Sequence, residues 1–473
     1  MDFENSYQML INGKLVSTPT NFEVLNPATE EVIARAPCAT RDLLRDAVTA
    51  ARNAFPIWRD TPIAERQRVV RQIGTAIETN ADALKRLLTL EQGKARAGAD
   101  WEIDGSAAWC AAISEQSLTP EIIENEKNHF VETRRVPLGV IGAITPWNFP
   151  VLLAIWKIAP ALLTGNTMIL KPSPFTPLTS LKLGELVQSI VPPGVLNVLS
   201  GGDELGSWIS SHPDIDKISF TGSTSTGKKI VQAASNTLKR VTLELGGNDP
   251  AIVMPDVDPT AIAKELFWAA FQNSAQFCVA AKRIYIHEDI YDAVRDELVT
   301  YAKTIKIGNG SHQGTELGPI QNRMQYEKLK DLIADIKSNG SKIALGGDVP
   351  VGQGYFVPIT IVDDPSEDSR IVKEEAFGPI LPLLKFNDIN DVIARANDTH
   401  YGLAASVWSN DLALARKVAE RIEAGTVWIN EVHVFGPHIA FGGHKQSGIG
   451  VENAREGLAE YTNSQTIMQR QLI

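Results

Sequence analysis

The stretch GVIGAITPWNFPVLLAIWKIAPALLTGNTMIL, residues 139–170, sets the fold class. A short apolar run, GVIGAI, gives way to a Phe-Pro helix start and the helix candidate VLLAIWKIAPALL (151–163), and then to a second apolar run, TMIL. The same rhythm continues to about residue 254, with VLNVL, KISF, VTLEL and AIVM alternating with helix candidates, which is the signature of parallel strands joined by crossovers. It predicts an open α/β sheet with helices on both faces. The segment 151–163 is too short to span a bilayer and carries Lys157 and Pro160, so it reads as core rather than membrane.

Outward from this unit the pattern changes. From about 41 to 118 apolar residues recur at helical spacing, as in Ala47, Ala50, Ala51 and Ala54 after Asp42, which predicts several helices in series. Ahead of them QMLINGKLVS (8–17) sets Asn12 and Gly13 between two strand-like runs, the dipeptide best suited to a two-residue hairpin turn, so this part is expected to form an edge element. Toward the other end, helix candidates at 259–272, 289–303, 322–338 and 411–423 alternate with RIYI, ILPLL, ASVW and TVWIN, a second α/β unit. The hydrophilic ribbon ENEKNHFVETRRV (124–136) and the stretch EYTNSQTIM (460–468) fit neither core. Both read as edge strands open to pairing with another subunit.

Composition narrows the partners. With 473 residues, 44% hydrophobic and 21% charged, the chain has material for two or three domains with substantial cores. The net charge of −11, with scattered basic residues, argues against nucleic acid and against anionic membranes, and leaves small molecules. The start MDFENSYQML lacks the features of a secretion signal, and three cysteines suit a reducing compartment, most simply the cytoplasm. Eight histidines without HExxH spacing, and no CxxC, give no expected metal site; GxSxG is absent too, which disfavours an α/β-hydrolase.

Four segments carry candidate chemistry. FTGSTSTGKK (220–229) follows KISF and precedes a helix, so its N–H groups and the helix dipole could face an anion. It nearly matches the NTPase pattern GxxxxGK[ST], but Lys229 replaces the hydroxyl that would hold magnesium, and no GxGxxG occurs; a glycine-assisted helix start explains it equally. In VTLELGGNDP (241–250), Glu244 sits in an apolar strand, where a carboxylate is costly without a partner or a task. It is either a general base of raised proton affinity or half of an ion pair. In ITPWNFP (144–150), Asn148 is either an oxyanion donor or a helix cap. In FQNSAQFCVAAKR (271–283), Cys278 judged alone is a small core hydrophobe.

The set ITPWNFP, KPSPFTP, FTGSTSTG, LELGG, QFC, EEAFGPI (374–380) and FGGHKQSGIG (441–450), in that order, resembles the NAD(P)-dependent aldehyde dehydrogenase superfamily over nearly the whole chain. The resemblance implies an aldehyde dehydrogenase-like α/β fold. A Rossmann-like cofactor-binding domain would take 1–118 and 138–246, a second α/β catalytic domain 247–446, and a small β oligomerisation element 119–137 and 452–473. It also implies that Cys278 is the nucleophile, Glu244 the general base and Asn148, with the backbone N–H of Cys278, the oxyanion hole. NAD or NADP would be held by Ile144, Thr145, Pro146, Trp147, Lys171, Ser173, Gly202, Gly222, Ser223, Gly227 and Leu245, with Glu375 and Phe377 at the nicotinamide end. Phe149, Leu152, Trp156, Phe277, Val279, Phe435 and Phe441 would line an aldehyde tunnel, and Lys157 and Glu452 match further polar positions of the site.

On this resemblance the expected reaction is oxidation of an aldehyde to a carboxylic acid through a thiohemiacetal and a thioester on Cys278, followed by hydrolysis. The aldehyde is expected to be apolar or aromatic, given the Phe, Trp, Leu and Val of the tunnel, with His433 and His438 available for a polar end. A homodimer or homotetramer is expected. Two departures stand out. Pro174 occupies the place where many NAD-preferring members carry an acidic residue, which opens the site to NADP through Lys171 and Ser173, and Ala275 stands where a glycine is common. A CoA-acylating semialdehyde dehydrogenase would generally lack the base at Glu244, and a crystallin-like structural protein would have no need of Cys278, Glu244 and Asn148 together.

Overall fold

The computed structural model describes residue 3 and residues 6–470. Residues 1, 2, 4 and 5 of the expected 1–118 stretch, and residues 471–473 of the expected 452–473 stretch, lie outside the described residues.

The α/β unit read from residue 139 onward is an eight-stranded sheet. Val140–Ile144 lies inside it, parallel to Thr167–Lys171 on one flank and to Lys217–Thr221 on the other. Leu196–Val198 extends the first flank and Arg240–Glu244 the second, both parallel. The three inner strands are buried along their whole length, as parallel strands between helical layers must be. The chain first builds outward from Val140–Ile144, then crosses back to build on its other side. Strand order therefore reverses between Val140–Ile144 and Lys217–Thr221, and open α/β sheets bind ligands at the carboxyl ends of strands at such a reversal.

The Asn12-Gly13 hairpin forms as expected, with φ of 50° and 72° at its two central residues. Its strand Met9–Ile11 pairs with Leu196–Val198, and Lys14–Val16 is the sheet edge. The opposite edge is Gly448–Ile449, antiparallel to Arg240–Glu244, a pairing between distant segments that no local pattern announces. Four helices, Arg41–Asp60, Ile63–Thr79, Ala81–Gln92 and Arg96–Ser114, fill the region 41–118. The first starts at Arg41, as expected, and the Thr40 side chain caps it by accepting from the backbone N–H of Leu43.

The second α/β unit is a seven-stranded sheet. Asp249–Val253 is parallel to Ala281–His287 and to Ala404–Trp408, with Ile380–Phe386, Thr360–Asp363 and Thr426–Ile429 farther out and Lys342–Leu345 as an antiparallel edge. Only residues 245–248 separate the two sheets along the chain. A third sheet joins Glu121–Glu126, His129–Pro137 and Thr462–Arg470, all antiparallel. Here the single-edge-strand reading of 124–136 needs correction: the ribbon turns at Lys127 and Asn128, and its second arm is the central strand, paired on both sides.

Candidate active site

Glu244 ends the strand Arg240–Glu244. It is 4% exposed, and neither carboxylate oxygen has a hydrogen-bond partner. Burial, reinforced by the charge of Glu452 and opposed by Lys157, holds its proton affinity well above the usual carboxylate range. Its backbone carbonyl accepts from the N–H of Gly222 at 3.0 Å, which joins the glycine-rich turn to the base.

From Glu244 the chain runs through Gly246 and Gly247 into the second sheet, where Asp249 pairs with Ala281. That pairing draws Gly247 against the nucleophile segment: a Cβ on Gly247 would lie 2.9 Å from the carbonyl oxygen of Cys278. Cys278 is partly buried, in the turn between the helix Pro259–Phe271 and the strand Ala281–His287. Three residues of this turn, Asn273, Ser274 and Ala275, hold φ of 55°, 55° and 57°, a left-handed conformation that costs an L-residue about 1–2 kcal/mol. Side chains fix them there. Ser274 Oγ donates to the Gly318 carbonyl at 2.7 Å, Gln276 Nε2 to the Pro319 carbonyl at 3.2 Å, and the Gln321 N–H to Gln276 Oε1 at 2.8 Å.

Asn148 is buried in the same place, its Nδ2 donating to the Gln276 carbonyl at 3.1 Å, two residues before the thiol. A carboxamide has a second N–H, left for a ligand. The helix-cap reading of Asn148 fails, because the N–H groups of Val151 and Leu152 are taken by Glu102 Oε1 at 2.8 and 3.2 Å. Glu102 is held in turn by Lys94 Nζ at 2.6 Å, and Lys94 also donates to the Asn148 carbonyl at 2.8 Å. Sequence reading missed this pair, because Lys94 and Glu102 stand among other charges, Arg96 and Asp100, and nothing local sets them apart. Burial pushes the Cys278 thiol up to about 12, with Lys282 pulling it down and Asp249, Glu244 and Glu375 pushing it further up. The charge of Glu244 thus reaches the Cys278 thiol.

Every residue expected to hold a dinucleotide along the first sheet falls at or just past the carboxyl end of a parallel strand. Ile144, Thr145, Pro146 and Trp147 close Val140–Ile144, Lys171 and Ser173 close Thr167–Lys171, and Gly202 follows Leu196–Val198 to cap the helix Asp203–Ser211. Gly222 follows Lys217–Thr221, Ser223 caps the helix Thr224–Ala234 by accepting from the Thr226 N–H at 3.3 Å, and Gly227 gives that helix room against Leu245, where a Cβ would lie 2.7 Å from the side chain. At the strand-order reversal itself, the hydroxyls of Thr145 and Thr221 are buried without a partner. Lys171 Nζ donates to the Pro172 carbonyl at 3.3 Å, and burial lowers its pKa to about 8. The Ser173 hydroxyl accepts from the Phe175 N–H at 3.3 Å. From the second unit, Phe377 stands edge-on to Trp147 with ring centres 5.3 Å apart, and Glu375 Oε1 accepts from the Gly247 N–H at 3.2 Å.

The expected tunnel residues form one aromatic group. Phe149 lies 4.7 Å from Phe277, Phe277 6.1 Å from Phe435, and Phe435 and Trp156 each pack against Phe441 at 5.6 and 5.7 Å. Leu152 and Val279 belong to the same core. Four further rings join it that no motif announced: Trp101 on Phe149, Trp109 stacked on Trp156, Trp428 on Phe435 and His433 on Phe277. His433 offers no free polar end, since its ring nitrogens already meet Gln272 Oε1 at 2.8 Å and the Val279 carbonyl at 3.2 Å, and burial lowers its pKa to about 4. His438 is exposed. Lys157 and Glu452 form a buried ion pair of 2.8 Å, with Ser219 Oγ accepting from Lys157 at 3.1 Å.

The family model described as the aldehyde dehydrogenase family matches residues 15–467. Aldehyde dehydrogenase LUC3 of a Fusarium species is 40% identical over 470 aligned positions, covering 99% of this chain and 99% of its own. Phenylacetaldehyde dehydrogenase of Pseudomonas fluorescens is 37% identical over 480 aligned positions, covering 98% of this chain and 95% of its own. The NAD+ complex of an aldehyde dehydrogenase from Bacillus cereus superposes with a TM-score of 0.96 at 37% identity, over 98% of this chain and 96% of that one. Similarity that covers nearly the full length of both partners at this identity means that the chain belongs to the aldehyde dehydrogenase family and is an enzyme of NAD(P)-dependent aldehyde oxidation.

Proposed function

We propose that the enzyme oxidises an apolar or aromatic aldehyde to its carboxylic acid, with Cys278 as nucleophile, Glu244 as the base of the hydrolytic step, and Asn148 Nδ2 with the backbone N–H of Cys278 as oxyanion donors. The observation that carries the reading is a buried carboxyl without partners, electrostatically coupled to a thiol whose preceding turn is held by the amide of Asn148. The sulfur adds to the aldehyde carbon, and the two N–H donors hold the alkoxide that forms. When bound, the nicotinamide supplies the hydride acceptor that turns this adduct into a thioester on Cys278. Glu244 then takes a proton from water, the hydroxide adds to the thioester carbon, and the acid departs as sulfur regains its electron pair. Glu244 favours water over CoA as the acceptor of the acyl group.

The strand-end crevice fits a dinucleotide, because the free hydroxyls of Thr145 and Thr221 lie where strand order reverses and the helix starts at Gly202 and Ser223 follow carboxyl ends of the same sheet. Lys171 would meet the adenosine ribose, and Trp147, Gly222, Ser223, Gly227 and Leu245 the phosphates and their surroundings. Glu375 and Phe377 would meet the nicotinamide end. With Pro174 in place of an acid, and Lys171 and Ser173 nearby, the site is open to NADP as well as to NAD. Residues 1–118 and 138–246 act as the cofactor-binding domain, 247–446 as the catalytic domain, and 119–137 with 452–473 as the oligomerisation element of a cytoplasmic homodimer or homotetramer. The last assignment is supported by two open edges, Glu121–Glu126 with Ile122 and Ile123 exposed, and Thr462–Arg470 with Met468 exposed.

The aromatic group supports the substrate class, and one relative is named for phenylacetaldehyde. A panel of aldehydes assayed by absorbance of reduced nicotinamide, with NAD and NADP in parallel, tests the reading. Aryl and long alkyl aldehydes should exceed short dicarboxylic semialdehydes in kcat/KM. A preference for the semialdehydes, or turnover surviving Cys278→Ala, would overturn it.

A further inference from the structure

The segment VAAKR ends in two buried cations that serve different ends. Arg283 faces away from the thiol: its guanidinium donates to the carbonyls of Asn248 and Ala396, both at 2.9 Å, and to Tyr285 Oη at 3.1 Å. Lys282 turns toward it. With its side chain 6% exposed, its ammonium donates to the carbonyl of Phe277 at 3.0 Å and to that of Cys278 at 2.6 Å, lies 3.5 Å from the Ala280 carbonyl, and stands 3.4 Å from Glu375 Oε1. One charged group therefore joins the nucleophile segment to the carboxylate proposed for the nicotinamide end.

The Phe277 carbonyl and the Cys278 N–H belong to one planar peptide. An ammonium on that oxygen fixes the plane of the unit and draws electron density from its nitrogen, so the N–H is aimed and made a stronger donor. The same charge acts on the sulfur. Among the charged side chains that act most strongly on Cys278, Lys282 favours its thiolate and comes first, and Asp249, Glu244 and Glu375 oppose it. We infer that Lys282 is a positioning residue of the oxidation, holding the Phe277–Cys278 peptide for the oxyanion and supplying the positive charge beside which Cys278 ionises. The inference rests on Cys278 being the nucleophile.

The test needs neither aldehyde nor cofactor, so it is separable from the proposed reaction. The rate of iodoacetamide alkylation at Cys278 is followed by peptide mass spectrometry from neutral to alkaline pH, with Cys38 and Cys110 resolved as separate peptides. Lys282→Gln keeps a donor and drops the charge. It should slow alkylation at neutral pH about tenfold or more, because each unit rise in thiol pKa leaves about a tenth of the thiolate. Lys282→Arg should keep the profile near wild type. Glu375→Gln, which removes an opposing charge and leaves Lys282 in place, should speed alkylation severalfold. A folded Lys282→Gln enzyme with the wild-type profile overturns the inference. Should that variant not fold, a slower or unchanged rate in Glu375→Gln overturns it instead. If Cys278→Ser retains aldehyde oxidation, the proposed reaction fails, whichever way the alkylation profiles move.

Discussion

Glu244 and Glu452 are 4% and 1% exposed, and they differ in what meets them. Lys157 Nζ stands 2.8 Å from one oxygen of Glu452, and Ser219 Oγ donates to the same oxygen at 3.3 Å, so that carboxylate is held inside a network. Glu244 has no partner at either oxygen. A buried charge without a partner raises its proton affinity instead of keeping its charge, which ties up stability and leaves a base in reserve. The contrast lies in the side chains and not in the backbone. Around Glu452 the chain makes one isolated bridge to Phe441 and then carries two positive-φ residues, Asn453 and Ala454, at 62° and 54°, while the turn before Cys278 carries three in succession. Local backbone preferences are overruled in both regions, and what separates the two carboxylates is that a cation meets one oxygen of Glu452 and none meets Glu244.

The largest expected effect breaks the unpaired side. Glu244→Gln should lower kcat by about 10²–10⁴-fold, the worth of a general base, with acyl-enzyme accumulating in intact-mass spectra after one turnover. Stability should move the other way. The raised folded pKa means that the native state binds a proton the unfolded chain has already lost, so the wild type loses stability as pH rises above the ordinary carboxylate pKa of about 4.3 and the Gln variant does not. The stability gap, measured by denaturant unfolding, should therefore widen from acid to neutral pH in favour of the variant. A constant gap would mean that Glu244 is ionised in the resting protein. Asn148→Ala should lower kcat by about 10²–10³-fold; an effect confined to KM would make it a substrate-positioning group only.

Breaking the paired side should leave a different signature. Lys157→Met strands the Glu452 carboxylate in the core and should cost about 3–5 kcal/mol of stability, read as a lower denaturant midpoint at unchanged slope. A loss below about 1 kcal/mol, the range of exposed pairs, would show water reaching the pair and would erase the contrast with Glu244.

Much of this contrast is legible in the sequence where it depends on neighbours along the chain. Asn12-Gly13 announces its hairpin, the runs from 139 to 254 their parallel sheet, the glycine-rich FTGSTSTGKK its helix start and Glu244 its costly position. What stays hidden is long-range pairing. Nothing near Asn148 says that Glu102 will take the helix N–H groups, nothing near Arg240–Glu244 says that Gly448–Ile449 will pair with it, and Trp101 and Trp109 look like ordinary positions of a helix until Phe149 and Trp156 pack on them. Backbone strain is hidden too. Asn tolerates a left-handed conformation, but Ser274 and Ala275 do not favour one, and they adopt it because side-chain bonds from Ser274 and Gln276 hold the turn.

Ala275 gives the smallest effect and the finest test of the contrast. A left-handed alanine costs about 1–2 kcal/mol, which glycine does not incur. Glycine also loosens the unfolded chain, which takes back about 0.4–1 kcal/mol. Ala275→Gly should therefore stabilise the protein by about 0.5–1 kcal/mol, where the same exchange at an unstrained site would destabilise it. Denaturant midpoints of the two proteins decide the sign. A gain accompanied by unchanged kcat would mean that the strain at Ala275 is incidental to the placement of Cys278. A gain accompanied by slower acylation would mean that the stiffness of the alanine turn, with its bonds to Gly318 and Pro319, is what keeps the thiol in line with Asn148.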